Sequence, residues 1–302
     1  DGLELDSRLR PGLRYRLLSC HHGYVKASAK VSVELSQTGQ PFEVMYDSGA
    51  FTAWSQGKEV QLDDLIKVYD RMVEDFESSS QATWLISLDK IPGSRGRTAT
   101  PEEIDEAVRI SDINFAILQK RYGDRVLPVF HQNESDARLH EVAAMAPYIC
   151  ISPRNDLHEG SRRAWSQEVH AKIPGKMTHG LAATGHAMMS KVPWGSVDSA
   201  TWVLLAVNGQ VFRDLRLRTV QISEQAGTLK DKDQHFRNLA PPMKEALRAF
   251  IEARGFTVEQ LETEFELRML YNRVIMTEVM ESLPPPEVIA AREPLEIGLF
   301  GL

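Results

Sequence analysis

Trp194-Gly195-Ser196-Val197-Asp198-Ser199-Ala200-Thr201-Trp202 is a short apolar run closed by one acidic residue, with small residues behind it that can start a helix. An aspartate in that position leaves a strand and faces outward, held by the turn that follows. Asp198 is therefore the first candidate for a reactive group. What the chain can do with it depends on the residues at its other strand ends.

Working outward, apolar runs at 14–20, 42–46, 83–88, 126–130, 148–151 and 177–181 read as strands, and Asp198 ends a seventh. An eighth comes from Val211-Phe212 or from 220–222. Between them lie helical patterns. Leu62, Leu65, Ile66, Tyr69, Met72, Val73 and Phe76 mark an amphipathic face, and Thr100-Pro101-Glu102-Glu103 is a capped helix start. Further helices are expected at 135–145, 164–171, 187–191 and 200–207. Strand alternating with helix about eight times predicts an α/β fold, a (β/α)8 TIM barrel. A doubly wound open sheet competes, but no Gly-x-Gly-x-x-Gly follows the first strand.

Past Asn238 the pattern is helical. Pro241-Pro242 opens one helix, Thr257 with Gln260 caps a long one to about Ser282, and Pro284-Pro285-Pro286 ends it before a tail. The expected division is a barrel over 1–238 and a C-terminal helical extension over 239–302, packed on the barrel.

Composition sets limits. With 302 residues and 42% hydrophobic content, the chain can bury a large core. A net charge of −7 disfavours a protein that coats nucleic acid, but leaves room for one that grips it locally. No apolar run approaches the ~20 residues of a membrane span, and 1–10 is polar without a signal-peptide core. The two cysteines, Cys20 and Cys150, sit in strand-like runs and are expected buried and reduced. These features suggest a cytoplasmic protein with no membrane partner, in the host cytoplasm if viral.

In a barrel, residues at the carboxyl ends of the strands share one pocket. Here they are Asp47, Asp89, His131, Ser152, His179 and Asp198. A single aspartate after a strand is more often a cap or turn residue; its recurrence at one face is what points to chemistry. There is no His-x-His, His-Glu-x-x-His or cysteine set, so neither a metal nor a cofactor is expected. Gly-x-Ser-x-Gly is absent too. Paired carboxylates remain, one to attack a sugar carbon and one to move a proton at the leaving group.

At Asp47-Ser48-Gly49-Ala50-Phe51 and Ser196-Val197-Asp198-Ser199 the chain resembles the tRNA-guanine transglycosylase superfamily. Asp47 to Trp54, His179-Gly180-Leu181-Ala182-Ala183-Thr184-Gly185 and 195–202 look closer to its viral and bacterial branch, which inserts 7-deazaguanines into DNA. The resemblance covers about 17–202. It implies that Asp198 attacks C1′ of a guanosine nucleotide and that Asp47 is the general acid/base. Asp89 would hold the guanine edge, with His131, Gln132, Ser152, His179, Gly180, Ser48 and Phe51 completing the substrate site. The family's zinc site of three cysteines and a histidine is absent, so the expected fold has no zinc subdomain.

The implied partners are duplex DNA, with the target base flipped out, and a free 7-deazaguanine such as 7-cyano-7-deazaguanine. A second copy of the chain or a partner protein remains open. Arg95, Arg97, Arg154, Arg162 and Arg163 are candidates for the DNA phosphates. Trp54, Trp194 and Trp202 are candidates for stacking or, more ordinarily, for core packing. The alternatives are the same exchange on tRNA, or an inactive barrel subunit that binds nucleic acid.

Overall fold

A computed structural model describes residues 15–21, 25–26, 28–30, 43–77, 82–94, 97–132, 134–226 and 234–291. It is a mixed α/β protein with parallel sheets. The chain divides into two compact units, Asp1–Ser152 with Lys176–His179, and Pro153–Gly175 with Gly180–Leu302.

In the first unit β1 (Tyr15–Ser19), β2 (Glu43–Asp47), β3 (Ala82–Ile86) and β4 (Val126–Leu127) lie side by side in sequence order, each pair parallel. Val44, Met45, Tyr46, Leu85 and Ile86 are all buried, as expected for a parallel sheet covered on both faces. The expected strand at 126–130 is interrupted at Pro128. Proline has no N–H for the ladder, so the run splits into β4 and β5 (Val129–His131). The Pro128 carbonyl still accepts from Cys150 N–H at 2.8 Å. It thereby leads into a second parallel pair, β5 with β6 (Tyr148–Ser152), beside which β7 (Met177–Gly180) runs.

Helices α1 (Ala50–Ser55), α2 (Leu62–Glu77), α3 (Pro101–Tyr122) and α4 (Asp136–Met145) fill the connections. On α2 the buried Leu65, Tyr69, Met72 and Val73 recur at helical spacing. The Tyr69 hydroxyl reaches the carbonyls of Tyr46 (3.2 Å) and Ile86 (2.6 Å), tying α2 to two strands. Helix α3 begins with the anticipated capping box. Glu103 N–H donates to Thr100 Oγ1 at 3.3 Å, and Thr100 N–H donates to Glu103 Oε2 at 2.9 Å. Cys20 and Cys150 are both buried, and neither is in a disulfide.

The second unit holds α5 (Glu159–Lys172), α6 (His186–Lys191), β8 (Ser196–Val197), α7 (Thr201–Val207), β9 (Gln210–Phe212) and β10 (Thr219–Gln221). It continues with α8 (Pro241–Glu252), α9 (Val258–Thr263), α10 (Phe265–Ser282) and α11 (Pro286–Ala290). The two candidates for an eighth strand pair antiparallel with each other, Val211 opposite Val220. The long helix expected from Thr257 breaks at Glu264, whose backbone is extended. In an unbroken helix, the Leu261 and Glu262 carbonyls would accept from the N–H groups of residues 265 and 266. Buried Arg268 takes them instead, at 3.0 and 3.4 Å, and reaches Ala206 O at 3.2 Å. The segment after the three prolines, expected as a tail, begins with the short helix α11.

Helix α10 is buried on several sides, and its polar members join the neighbouring segments. Fully buried Asn272 accepts from Phe212 N–H (3.0 Å) and donates to Trp202 O (3.1 Å) and Gln210 O (3.2 Å). Beside it, the Tyr271 hydroxyl donates to Phe212 O at 3.0 Å. Among the described residues no helix is long and apolar enough to cross a membrane. Replacing Asn272 by leucine keeps the branching of the side chain but strands a buried N–H and two carbonyls. The free energy of unfolding in urea is expected to fall by about 3 kcal/mol.

Candidate functional site

Asp47 is the last residue of β2, and its Oδ2 accepts from Gly49 N–H at 3.1 Å and from Ser19 Oγ at 3.5 Å. The turn requires glycine at 49. Its φ is 79°, and a Cβ there would lie 2.9 Å from the Cα of His21. Ser48 is buried, its Oγ accepting from Ala50 N–H at 3.4 Å. On α1 behind it, Phe51 is 52% exposed and its ring centre is 5.8 Å from that of Trp54. Trp54 donates through Nε1 to Gly93 O at 3.2 Å, so this indole anchors the loop after β3. Burial, reinforced by the charge of Asp47, pushes the Cys20 thiol far above its ordinary range. Cys20 is no nucleophile at neutral pH.

Asp89 lies three residues past β3, and His131 ends β5. His131 Nε2 and Asp89 Oδ2 are 2.8 Å apart, the side chains 12% and 9% exposed. Burial alone would lower the His131 pKa. The hydrogen bond to Asp89, its charge and that of Glu134 outweigh burial and raise it. Glu134, whose side chain is 8% exposed, stands 3.7 Å from the Arg138 guanidinium, and burial raises its pKa despite His131 and Arg138. Arg138 in turn pairs with Asp112 and Glu141. Gln132 N–H donates to Ser152 O at 3.2 Å, joining the ends of β5 and β6. His179 is buried near the end of β7. Asp47, Asp89, His131, Gln132, Ser152 and His179 thus all belong to strand ends or post-strand turns of the first unit. Sequence reasoning missed Glu134 and Arg138, although a Glu and an Arg four apart after a strand could have been noticed.

Asp198 lies directly after β8 in the second unit. Its N–H donates to Gly180 O at 3.3 Å, and its carbonyl accepts from Ala183 N–H at 3.0 Å. Its carboxylate Oδ1 accepts from Ala182 N–H at 3.1 Å. Ala182 has φ 52°, a left-handed conformation that costs a residue with a Cβ about 1–2 kcal/mol. Gly180 leaves no room for a side chain. A Cβ there would lie 2.8 Å from that of Ala183 and 2.9 Å from the Trp194 ring. The hydroxyls of Thr184 and Ser199 are in hydrogen-bond contact, tying the loop to the residue after Asp198.

Helix α5, expected at 164–171, sets a polar stripe against this loop, half-buried at Arg162 and buried at Ser166 and His170. Arg162, Ser166 and His170 recur every four residues. Arg162 Nη2 donates to Ala182 O at 2.9 Å and to Asn155 Oδ1 at 3.2 Å. Ser166 Oγ donates to Arg162 O at 2.9 Å, and His170 Nδ1 lies 2.7 Å from Ser166 O. Burial lowers the His170 pKa, which keeps the ring neutral with Nδ1–H as donor. That ring meets Trp194 edge to face at 4.6 Å, so Trp194 is a buried packing residue. The spacing was visible in the sequence, but polar residues on a polar helix gave no sign that they face inward.

Two of the other arginines expected at phosphates, Arg97 and Arg154, have local partners. Exposed Arg97 makes a two-point pair with Glu103 (2.9 and 2.5 Å), and Arg154 does the same with Asp156. Arg163 is half-buried, and Arg95 lies outside the described residues. A phosphate at Arg97 or Arg154 would displace a carboxylate, a small cost at an exposed ion pair. Among the described residues no cluster of three or more His, Cys, Asp or Glu is set to hold a metal ion.

The raised His131 value gives the sign of a pH effect. The folded protein holds the proton more tightly, so the contribution is complete below the ordinary histidine value of 6.5 and is lost as pH rises through the raised value. Glu134, also raised, acts in the same direction at lower pH. Urea midpoints measured from about pH 6 to about pH 9 should fall in the wild type and fall less in Asp89→Asn. Separately, Gly180→Ala is expected to lower stability by about 1–3 kcal/mol in thermal denaturation, because its Cβ collides with Trp194 and Ala183. Compared with models of known protein families, with curated proteins and with solved structures, the chain finds no match in any of the three.

Proposed function

We propose that this chain is a DNA-guanine transglycosylase, exchanging guanine for a 7-deazaguanine through a covalent glycosyl–Asp198 intermediate. The observation that carries the reading is the setting of Asp198. Its carboxylate directly follows a strand and is aimed by the N–H of a non-glycine residue held at positive φ. Strain of that kind concentrates at sites of chemistry. The resemblance at 47–54, 179–185 and 195–202 supplies the substrate class. The fold assigned with it is a (β/α)8 barrel. That assignment is supported by strands β1 to β4 following one another in sequence order, without the reversal of a doubly wound sheet.

In this mechanism Asp198 attacks C1′ of a flipped-out guanosine nucleotide as the C1′–N9 bond breaks, and the leaving guanine takes a proton from the general acid, the role that the resemblance gives to Asp47. The incoming 7-deazaguanine then gives its N9 proton back to Asp47. It attacks C1′ and releases Asp198, so the backbone is never cut. The hydrogen bonds to Asp47 from Gly49 N–H and Ser19 fix its orientation for both transfers. Asp89 and His131 supply a carboxylate and an imidazole, which fit the donors and acceptors of a guanine edge.

The test is incubation with labelled 7-cyano-7-deazaguanine and either duplex DNA or tRNA. Label should enter DNA, and Asp198→Ala should reduce the rate by about 10³-fold or more. A protein–DNA adduct on denaturing gels should vanish in Asp198→Asn. Label entering tRNA alone would move the assignment to tRNA. No label in either polymer, with nucleic-acid binding intact, would overturn the enzymatic reading.

A further inference from the structure

We propose that Arg162 is a positioning residue for Asp198: from helix α5 it grips the carbonyl of Ala182 and so holds that residue in its left-handed conformation, and the N–H of Ala182 fixes the Asp198 carboxylate. The inference rests on the reading of Asp198 as the nucleophile. Its geometric part stands on contacts within the second unit. The two polar ends of Ala182 are both engaged, its N–H by Asp198 Oδ1 (3.1 Å) and its carbonyl by Arg162 Nη2 (2.9 Å). A residue with a β-carbon seldom adopts φ 52°, a conformation its surroundings must compensate; Leu217, at φ 58°, is the other such residue among those described. Arg162 is in turn fixed at its own backbone. Its N–H donates to His158 O at 3.1 Å, and its carbonyl accepts from Ser166 Oγ.

The arrangement comes at a cost that packing alone does not explain. Arg162 Nε is buried and has no hydrogen-bond partner among the described residues. Burial also disfavours its charge, with Glu159 opposing that only in part. A guanidinium committed this way has its Nη2 shared between Ala182 and Asn155, which leaves it poorly placed to grip a phosphate. Its role is to hold the loop that aims the nucleophile.

Two readouts separate this role from general stability and from the base-exchange reading. The first is amide hydrogen exchange of the full chain. In Arg162→Met the Ala182 N–H should exchange about tenfold faster, whereas the Met189 N–H, bonded to Gly185 O on α6, should change less than about twofold. Equal acceleration at both amides, or none at Ala182, overturns the proposal. The second is single-turnover adduct formation on duplex DNA. Arg162→Met should slow it about tenfold with DNA affinity unchanged, and Arg162→Lys should recover part of the loss.

Ala182→Gly supplies the decisive background, since glycine adopts positive φ without help. There the loss from Arg162→Met should shrink to about threefold or less. A loss of the same size in both backgrounds would overturn the proposal. If Arg162→Met does not fold, the same exchange comparison in Arg162→Lys decides the matter. Should the wild type form no adduct, the transglycosylase reading fails and hydrogen exchange alone judges the role of Arg162.

Discussion

A residue held where few others would settle is what the second unit depends on. Ala182 sits at φ 52° with its N–H on the Asp198 carboxylate and its carbonyl on Arg162. Neither hydrogen bond survives if the residue relaxes into the ordinary right-handed region, because its N–H and carbonyl then point elsewhere. The strain and the two bonds therefore sustain one another. Around them, Gly180 lets the Trp194 ring approach the backbone, and Trp194 leans on His170. Packing and polar contacts converge on the orientation of one carboxylate.

The first unit meets a different constraint with the same currency of buried polar groups. Glu134, His131 and Asp89 are almost wholly removed from water and bear on one another electrostatically. Burial resists charge on the histidine and the glutamate alike. The pair His131–Asp89 resolves that conflict by sharing a proton-bearing contact, and Arg138 stands behind Glu134. Such an arrangement adds little to net stability, but it fixes the side chains against alternative rotamers.

Much of this was legible in the sequence where the signal was periodic. Apolar runs located β1 to β3 and β6, and Thr100 with Glu103 announced the start of α3 down to its reciprocal hydrogen bonds. The aspartates were found because an acidic residue ending an apolar run is conspicuous. What escaped depended on contacts distant in sequence. Pro128 was visible, yet its effect depended on which neighbours each half of the run would find. The break at Glu264 is tied to the Arg268 guanidinium taking carbonyls that the helix would otherwise have used. The bond from Arg162 to Ala182 O spans twenty residues, and an arginine beside Arg163 in a polar helix carries no mark of the direction it faces.

Cys20 and Cys150 lie buried in the first unit's sheets, one just past β1 and the other within β6, and neither is bonded to the other. An alkylating reagent meets either sulfur only when the surrounding backbone parts. The rate of their modification therefore measures local opening of that region. The protein carries its own gauge of how often its strand framework breathes, with no label to be engineered.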